Sequence, residues 1–217
     1  MECKKLIEDK QDFGKNAGVN SGSEIASLAP VGYYVALRIG FAFPLAERNA
    51  LPPAWVEHYT RHNYMLADPV MRWLYQHSGA IRWSAIKIAD PKKILVQAEE
   101  FGLRFGVAIC CDDPGPRGQR SFGTFVRADR EFTDAEITQL QTKLQDMHRA
   151  MAPPTNLTRA ELEALRMVKD GLLVKEIANL LGVSEGAVKQ RLKNARLKLG
   201  AKTGSQAVSA ATGYGLI

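Results

Sequence analysis

The sequence predicts an α+β chain, in which an α-β-α sandwich on an antiparallel sheet is followed by an all-α unit of four helices. Three observations carry this. Short β-rich runs at 33–39, 81–86, 105–111 and 121–127 alternate with helical segments. From residue 157 onward the apolar spacing is helical throughout. Between the two lies Ala152-Pro153-Pro154-Thr155, a composition that reads as a linker. The 217 residues, 46% hydrophobic and 24% charged, suit one domain of about 150 residues plus a small helical one. The expected boundaries are 1–151, a linker over 152–156, and 157–217.

The elements follow in order. Residues 1–23 are polar and carry Gly14, Gly18 and Gly22, so only a short helix near 3–10 is expected there. YYVALRI (33–39) is β-rich, 53–66 and 69–77 are helical, and IRWSAI (81–86) and FGVAICC (105–111) read as strands. DDPGPRGQR (112–120) is turn-rich and joins the latter to SFGTFVR (121–127), most simply as an antiparallel pair. Thr133 and Glu136 form a capping box, opening a long helix that carries Ile137, Leu140, Leu144 and Met147 at helical spacing. A second capping box, Thr158 with Glu161, opens a helix that should stop at Gly171.

Residues 174–192, VKEIANLLGVSEGAVKQRL, are the most informative stretch. They read as a helix, a tight turn at Gly182 and a second helix. Ala178 is small enough for a close crossing, and Ile177, Leu181, Val183, Val188 and Leu192 make the shared core. Ser184 is a natural N-cap, and Glu185 complements the positive end of the helix dipole. Lys189, Gln190, Lys193 and Arg196 can then project outward while Val188, Leu192 and Leu199 face inward, as in a helix that reads a DNA groove. SQAVSAATGYGLI adds one short amphipathic helix. Charge agrees with this division, because residues 155–217 carry a net +5 and residues 1–154 only +1.

Several functions recede on composition. Cys3, Cys110 and Cys111 form no disulfide framework, which points to a reduced, cytoplasmic setting. No apolar run approaches the roughly 18 residues of a membrane span, and MECKKLIEDKQD lacks the apolar core of a signal peptide, so neither export nor a membrane anchor is expected. His58, His62, His77 and His148 lack zinc-ligand spacing and read as surface or edge residues, so no metal is expected. In the first half, Trp55 and Tyr59 share a helix face, Asp68-Pro69 closes one helix and opens the next, and Trp83 follows. Taken alone, such aromatics are usually core and such an Asp an N-cap. Together they can instead line an apolar cavity with a few placed polar groups.

The C-terminal stretch resembles the DNA-binding domain of LuxR-type regulators. The residues that match are Leu157, Thr158, Glu161, Glu163, Glu176, Ile177, Ala178, Val183, Ser184, Val188, Asn194, Lys198, Leu199, Ala207, Val208, Gly215, Leu216 and Ile217. Ala160, Ala187 and Arg191 depart from that family's usual residues. W-x-x-x-Y at 55–59, D-P at 68–69 and Trp83 are similar to the acyl-homoserine-lactone-binding domain that precedes this DNA-binding domain in quorum-sensing receptors.

The resemblance implies a non-enzymatic transcription factor that takes an N-acyl-homoserine lactone as ligand and needs no other cofactor. In it Trp55 would donate to the lactone carbonyl and Asp68 would accept the amide N–H. Tyr59 and Trp83 would wall the cavity, and Thr124 would donate to the acyl carbonyl. Leu51 stands where the family commonly has a Tyr donating to that carbonyl. Ser184, Glu185, Lys189, Gln190, Lys193 and Arg196 fall at the implied DNA interface. The implied partners are a second copy of the chain, an inverted-repeat operator in double-stranded DNA, and RNA polymerase.

Rival readings fit less well. A phosphoacceptor receiver needs an early acidic pair after a strand, and Glu8-Asp9 has no strand before it. An enzyme built on Asp68, Asp112 or Asp113 with a His, or on Cys110 or Cys111, has no motif spacing to pair these groups. A regulator of the same family that is ligand-independent, or answers another small molecule, is the alternative that Leu51 suggests.

Overall fold

The computed structural model describes residues 19–39, 43–115 and 118–217. The short helix expected near 3–10 lies outside them. The chain divides into two compact units, Met1–Met151 and Ala152–Ile217.

In the first unit a five-stranded sheet has the order β2-β1-β5-β4-β3, every neighbouring pair antiparallel. Its strands are β1 (Gly32–Ile39), β2 (Pro44–Asn49), β3 (Gly79–Arg82), β4 (Phe105–Asp112) and β5 (Arg120–Arg127). Helices α1 (Val19–Leu28) and α5 (Asp134–Ala150) cover one face, where Tyr33, Val35, Leu37, Val107, Ile109 and Phe125 meet Ile25, Ile137, Leu140 and Leu144. The other face carries α2 (Pro53–Arg61), α3 (Pro69–Gln76) and α4 (Ile94–Glu100). There Ala36, Ala108, Phe122 and Val126 pack with Trp55, Met71, Leu74 and Ile94. Strand alternation thus sorts neighbouring residues into two separate cores, the expected α-β-α sandwich.

Several expectations change. IRWSAI is not one strand: β3 runs Gly79–Arg82, and Trp83–Ala85 form a 3₁₀ turn. The turn lets the Trp83 indole lie flat against Gly106 on β4, where any Cβ would meet the ring at 2.2 Å. The helix expected over 53–66 ends at Arg61, and residues 19–23, read as irregular, belong to α1. Neither β2 nor α4 was expected, and α4 is entered through Lys93 in a left-handed conformation with no side-chain cap.

A further difference concerns His148, expected at the surface but buried near the end of α5. Its cause is a register shift in β1 at Arg38, which has φ 51°. The bulge turns both Leu37 and Arg38 toward α5. Arg38, 2% exposed, donates from Nε to the His148 carbonyl at 2.9 Å and pairs with Asp113. Ser121 Oγ lies 2.7 Å from His148 Nδ1, and Asp113 Oδ1 lies 2.9 Å from Nε2. A buried cation is thus compensated by a carboxylate and by one open carbonyl of a helix end.

The second unit consists of α6 (Arg159–Lys169), α7 (Val174–Leu181), α8 (Glu185–Lys198) and α9 (Gly204–Gly213). Gly182, φ 63°, ends α7 in the left-handed conformation that glycine adopts freely, and Ser184 Oγ accepts the Ala187 N–H to start α8. Ile177, Ala178, Leu181, Val183, Val188 and Leu192 pack together as the sequence implies. Glu161, 4% exposed, accepts the Thr158 N–H at 2.8 Å and the Lys198 ammonium at 2.8 Å. One carboxylate therefore caps α6 and ties it to the end of α8. Burial alone would raise the Glu161 pKa, but Lys198 and Thr158 outweigh it and hold the carboxyl below its usual range. Its stabilisation is present at neutral pH and is lost as pH falls through that depressed value. Lys198→Ala, which strands the buried carboxylate, should cost the second unit about 1–3 kcal/mol, while Lys198→Arg should recover most of it. Amide hydrogen exchange along α6 and α8 checks this, with unchanged protection in Lys198→Ala as the contrary result.

Candidate functional site

A cavity of about 180 Å³ opens between the sheet and the α2–α4 layer. Three helices, three strands and the connections between them supply its walls: α2 gives Trp55, Val56, Tyr59 and Thr60, and the α2–α3 connection gives Met65 and Asp68. Val70, Met71, Ile94, Leu95 and Ala98 form the apolar floor. The sheet side presents Tyr34, Asn49 and Thr124, with Leu51 and Trp83 beside them. All six residues singled out from the sequence, Leu51, Trp55, Tyr59, Asp68, Trp83 and Thr124, converge here.

The polar groups are few and their pairing is specific. Asp68 is 7% exposed; Oδ1 accepts the Val70 N–H at 2.7 Å, capping α3, and Oδ2 accepts the Tyr59 hydroxyl at 2.8 Å. The N-cap and cavity readings of Asp68 therefore hold together. Burial pushes its pKa up, and the Tyr59, Val70 and Met71 donors counter this only in part. Burial and the neighbouring Asp68 likewise raise the Tyr59 phenol, which stays a donor. Trp83 Nε1 donates to Thr124 Oγ1 at 3.1 Å, which leaves the threonine proton free to donate into the cavity. The Trp55 indole has no hydrogen-bond partner among the described residues, though it stacks edge-on with Tyr59 at 5.6 Å.

Sequence reasoning missed Tyr34 and the α4 contribution. Tyr34 pairs with Asn49 on one side and Thr124 on the other, so the three form a polar row across β2, β1 and β5. Its hydroxyl donates to Glu47 Oε2 at 3.0 Å. Tyr33 and Tyr34 are indistinguishable by composition, and only the register assigns one to each face. The signal for α4 was weaker still, because the residue before Ile94 is Lys93 and the Leu95 N–H is accepted instead by Asp90, five residues back.

On α8 the side chains of Lys189, Gln190 and Lys193 are exposed. Lys189 lies 3.6 Å from Glu185, one turn earlier, and Gln190 Nε2 donates to Asn194 Oδ1 at 2.8 Å. Arg196 is placed differently: half-buried, it donates to the Ala201 and Lys202 carbonyls at 3.3 and 3.1 Å. Both carbonyls lie in the connection after α8, so this cation, at the negative dipole end of its helix, ties α8 to the loop that leads to α9.

The other groups weighed for an enzyme are held in structural pairings or are buried or half-buried. Asp113 and His148 do meet, and with Ser121 they form a Ser–His–Asp chain, yet Ser121 is fully buried and also accepts the Arg38 backbone N–H at 2.8 Å. Burial pushes the Cys110 and Cys111 thiols up to about 12 and about 11, far from thiolate nucleophiles. No helix among the described residues is long and apolar enough to cross a membrane.

A cavity domain joined to a helix-turn-helix unit defines a transcription regulator with a small-molecule-binding fold. Residues 46–151 match the autoinducer binding domain, and residues 155–211 match the bacterial regulatory proteins of the luxR family. The chain is 31% identical over 172 residues to the transcriptional activator protein RaiR of Rhizobium etli, covering 71% of this chain and 70% of that one. It is 29% identical over 197 residues to the HTH-type quorum-sensing regulator RhlR of Pseudomonas aeruginosa, covering 85% and 82%. A crystal structure of Escherichia coli SdiA superposes with a TM-score of 0.53 at 26% identity, over 99% of this chain and 97% of that one. The chain belongs to the LuxR family of quorum-sensing transcription regulators, which are not enzymes.

The raised Asp68 pKa gives the cavity a pH dependence. In the empty protein the penalty on the charged carboxylate is present above the raised pKa and relieved as pH falls through it. A ligand N–H that bonds the carboxylate favours the charged form. Affinity for an amide ligand should therefore weaken on acidification, beginning above the ordinary carboxylate range, and the profile should flatten in Asp68→Asn. Titration calorimetry across pH reads this directly, and a flat profile in the parent protein is the contrary result.

Proposed function

We propose that the first unit binds an N-acyl-homoserine lactone and that a dimer of the chain reads an inverted-repeat operator through α8, changing transcription by RNA polymerase there. One observation carries the ligand reading: in a mainly apolar cavity, the unpartnered Trp55 indole N–H and the buried Asp68 carboxylate offer one donor and one acceptor. A lactone carbonyl and an amide N–H complement them. Thr124, its oxygen already engaged by Trp83, donates to the acyl carbonyl in place of the phenol that Leu51 does not supply. A buried acceptor disfavours ligands without the matching N–H, because its desolvation is then compensated only in part, by Tyr59 and Val70.

Filling the cavity links ligand to folding, since whatever binds the packed state stabilises it by mass action. Pairing through α5 and α9 would set two α8 helices about one DNA turn, ~34 Å, apart on a two-fold operator. In α8 Ser184 and Glu185 start the helix, Lys189, Gln190 and Lys193 are the exposed candidates for DNA contact, and Arg196 acts mainly on its own chain. RhlR, named as a quorum-sensing regulator, is a relative consistent with this reading. Leu51 favours one second reading, a receptor tuned to a different small molecule or to none.

Soluble yield and melting temperature across lactones of graded chain length separate the two. A gain that peaks at one length supports the lactone receptor, and good yield with an unmoved melting temperature supports the second reading. Trp55→Phe and Asp68→Asn should abolish the transcriptional response to lactone while yield in saturating ligand stays near normal, and unchanged dose–response curves reject the assignment. Alanine at Lys189, Gln190 or Lys193 should weaken operator binding with ligand affinity unchanged, and a phosphate-contacting Lys193 should lower the salt slope by about one. Equal loss on every DNA sequence for all three rules out base reading by α8.

A further inference from the structure

Among the polar groups that line the cavity, the lactone reading leaves the Tyr34 hydroxyl without a task. Trp55, Asp68 and Thr124 use the hydrogen-bonding capacity of a lactone-amide head group. The Tyr34 hydroxyl remains, on the sheet wall beside Asn49 and Thr124. Its proton goes to Glu47 on β2, the edge strand, where Glu47 and Asn49 are both exposed. An unsubstituted alkyl chain gains nothing from this phenol and must lie against it.

The pair is built to exchange. If Tyr34 turns its proton to a ligand oxygen, Glu47 loses a partner that water at the edge strand replaces at little cost. The phenol stays protonated, because burial and Glu47 both raise its pKa. Its ring is held by Phe122, centroids 6.4 Å apart, so the donor sits on a fixed wall. The same departure that removes a phenol at Leu51 is thus accompanied by a phenol on the adjoining sheet wall.

Resting on the lactone reading, we propose that Tyr34 is a specificity-determining residue that selects ligands whose acyl chain bears an oxygen, a keto or hydroxyl group, over unsubstituted chains of equal length. A keto oxygen accepts the Tyr34 proton; a hydroxyl accepts it and donates to Glu47.

The test compares lactones of one chain length, unsubstituted or carrying keto or hydroxyl oxygen at the third carbon or further along. Melting-temperature shifts of the full chain and half-maximal reporter concentrations are the readouts. The parent protein should prefer an oxygenated ligand by about three- to tenfold, the range of one net hydrogen bond. In Tyr34→Phe that ratio should fall to near one. Equal affinities in the parent, or a preference that survives Tyr34→Phe, overturn the proposal. If Tyr34→Phe does not accumulate, Glu47→Gln reports instead: a weaker hold on the phenol should enlarge the keto preference, and an unchanged or smaller one is the contrary result. If no lactone shifts melting at all, the lactone reading itself fails and takes this one with it, an outcome distinct from binding without discrimination.

Discussion

The first unit is organised around a carboxylate kept out of water. Asp68 would be costly where it sits without donors, and two are built in: the Val70 N–H that it caps and the Tyr59 hydroxyl. Each fixes something larger. The cap sets where α3 begins and hence where Met71, Trp73 and Leu74 enter the core. The phenol sets the rotation of α2 and with it the direction of the Trp55 indole. A helix start, a helix orientation and the polarity of a cavity thus follow from satisfying one buried charge.

The second unit meets the same problem with a different solution. Glu161 is as buried as Asp68, but its partner is a full cation rather than a hydroxyl. The opposite shifts of the two carboxyls, Asp68 upward and Glu161 downward, follow from that difference. A carboxylate clamped by lysine is a structural tie. One that keeps a raised pKa beside an open space retains free energy that an incoming donor can recover.

Much of this was legible where the signal is local. Thr133 with Glu136, Thr158 with Glu161, and Ser184 each cap the helix their spacing implied, because capping is decided within four residues. The cavity residues Trp55, Tyr59 and Asp68 were legible through spacing along two helices and one resemblance. What was not legible depended on partners distant in the chain. PLAERN is polar because β2 is an edge strand with one open side, so it lacks the alternation that marks a strand. The Trp83 turn exists because Gly106, some twenty residues on, makes room for an indole. The burial of His148 follows from a bulge at Arg38, and the place of Tyr34 in the cavity follows from a register that no single strand carries.

The sheet is one residue thick, and its strands serve two masters. On β5, Thr124 looks into the cavity while Ser121 helps seat the end of α5; on β1, Tyr34 and Arg38 divide the same duties. The two strands differ in what surrounds them. Residues around Thr124 are enclosed on every side, whereas Tyr34 leans toward the exposed Glu47 and Asn49 of the sheet margin. At the margin, therefore, a bulkier or more polar side chain is absorbed by solvent. At the centre of the sheet a changed side chain would disturb the seat of α5 together with the cavity.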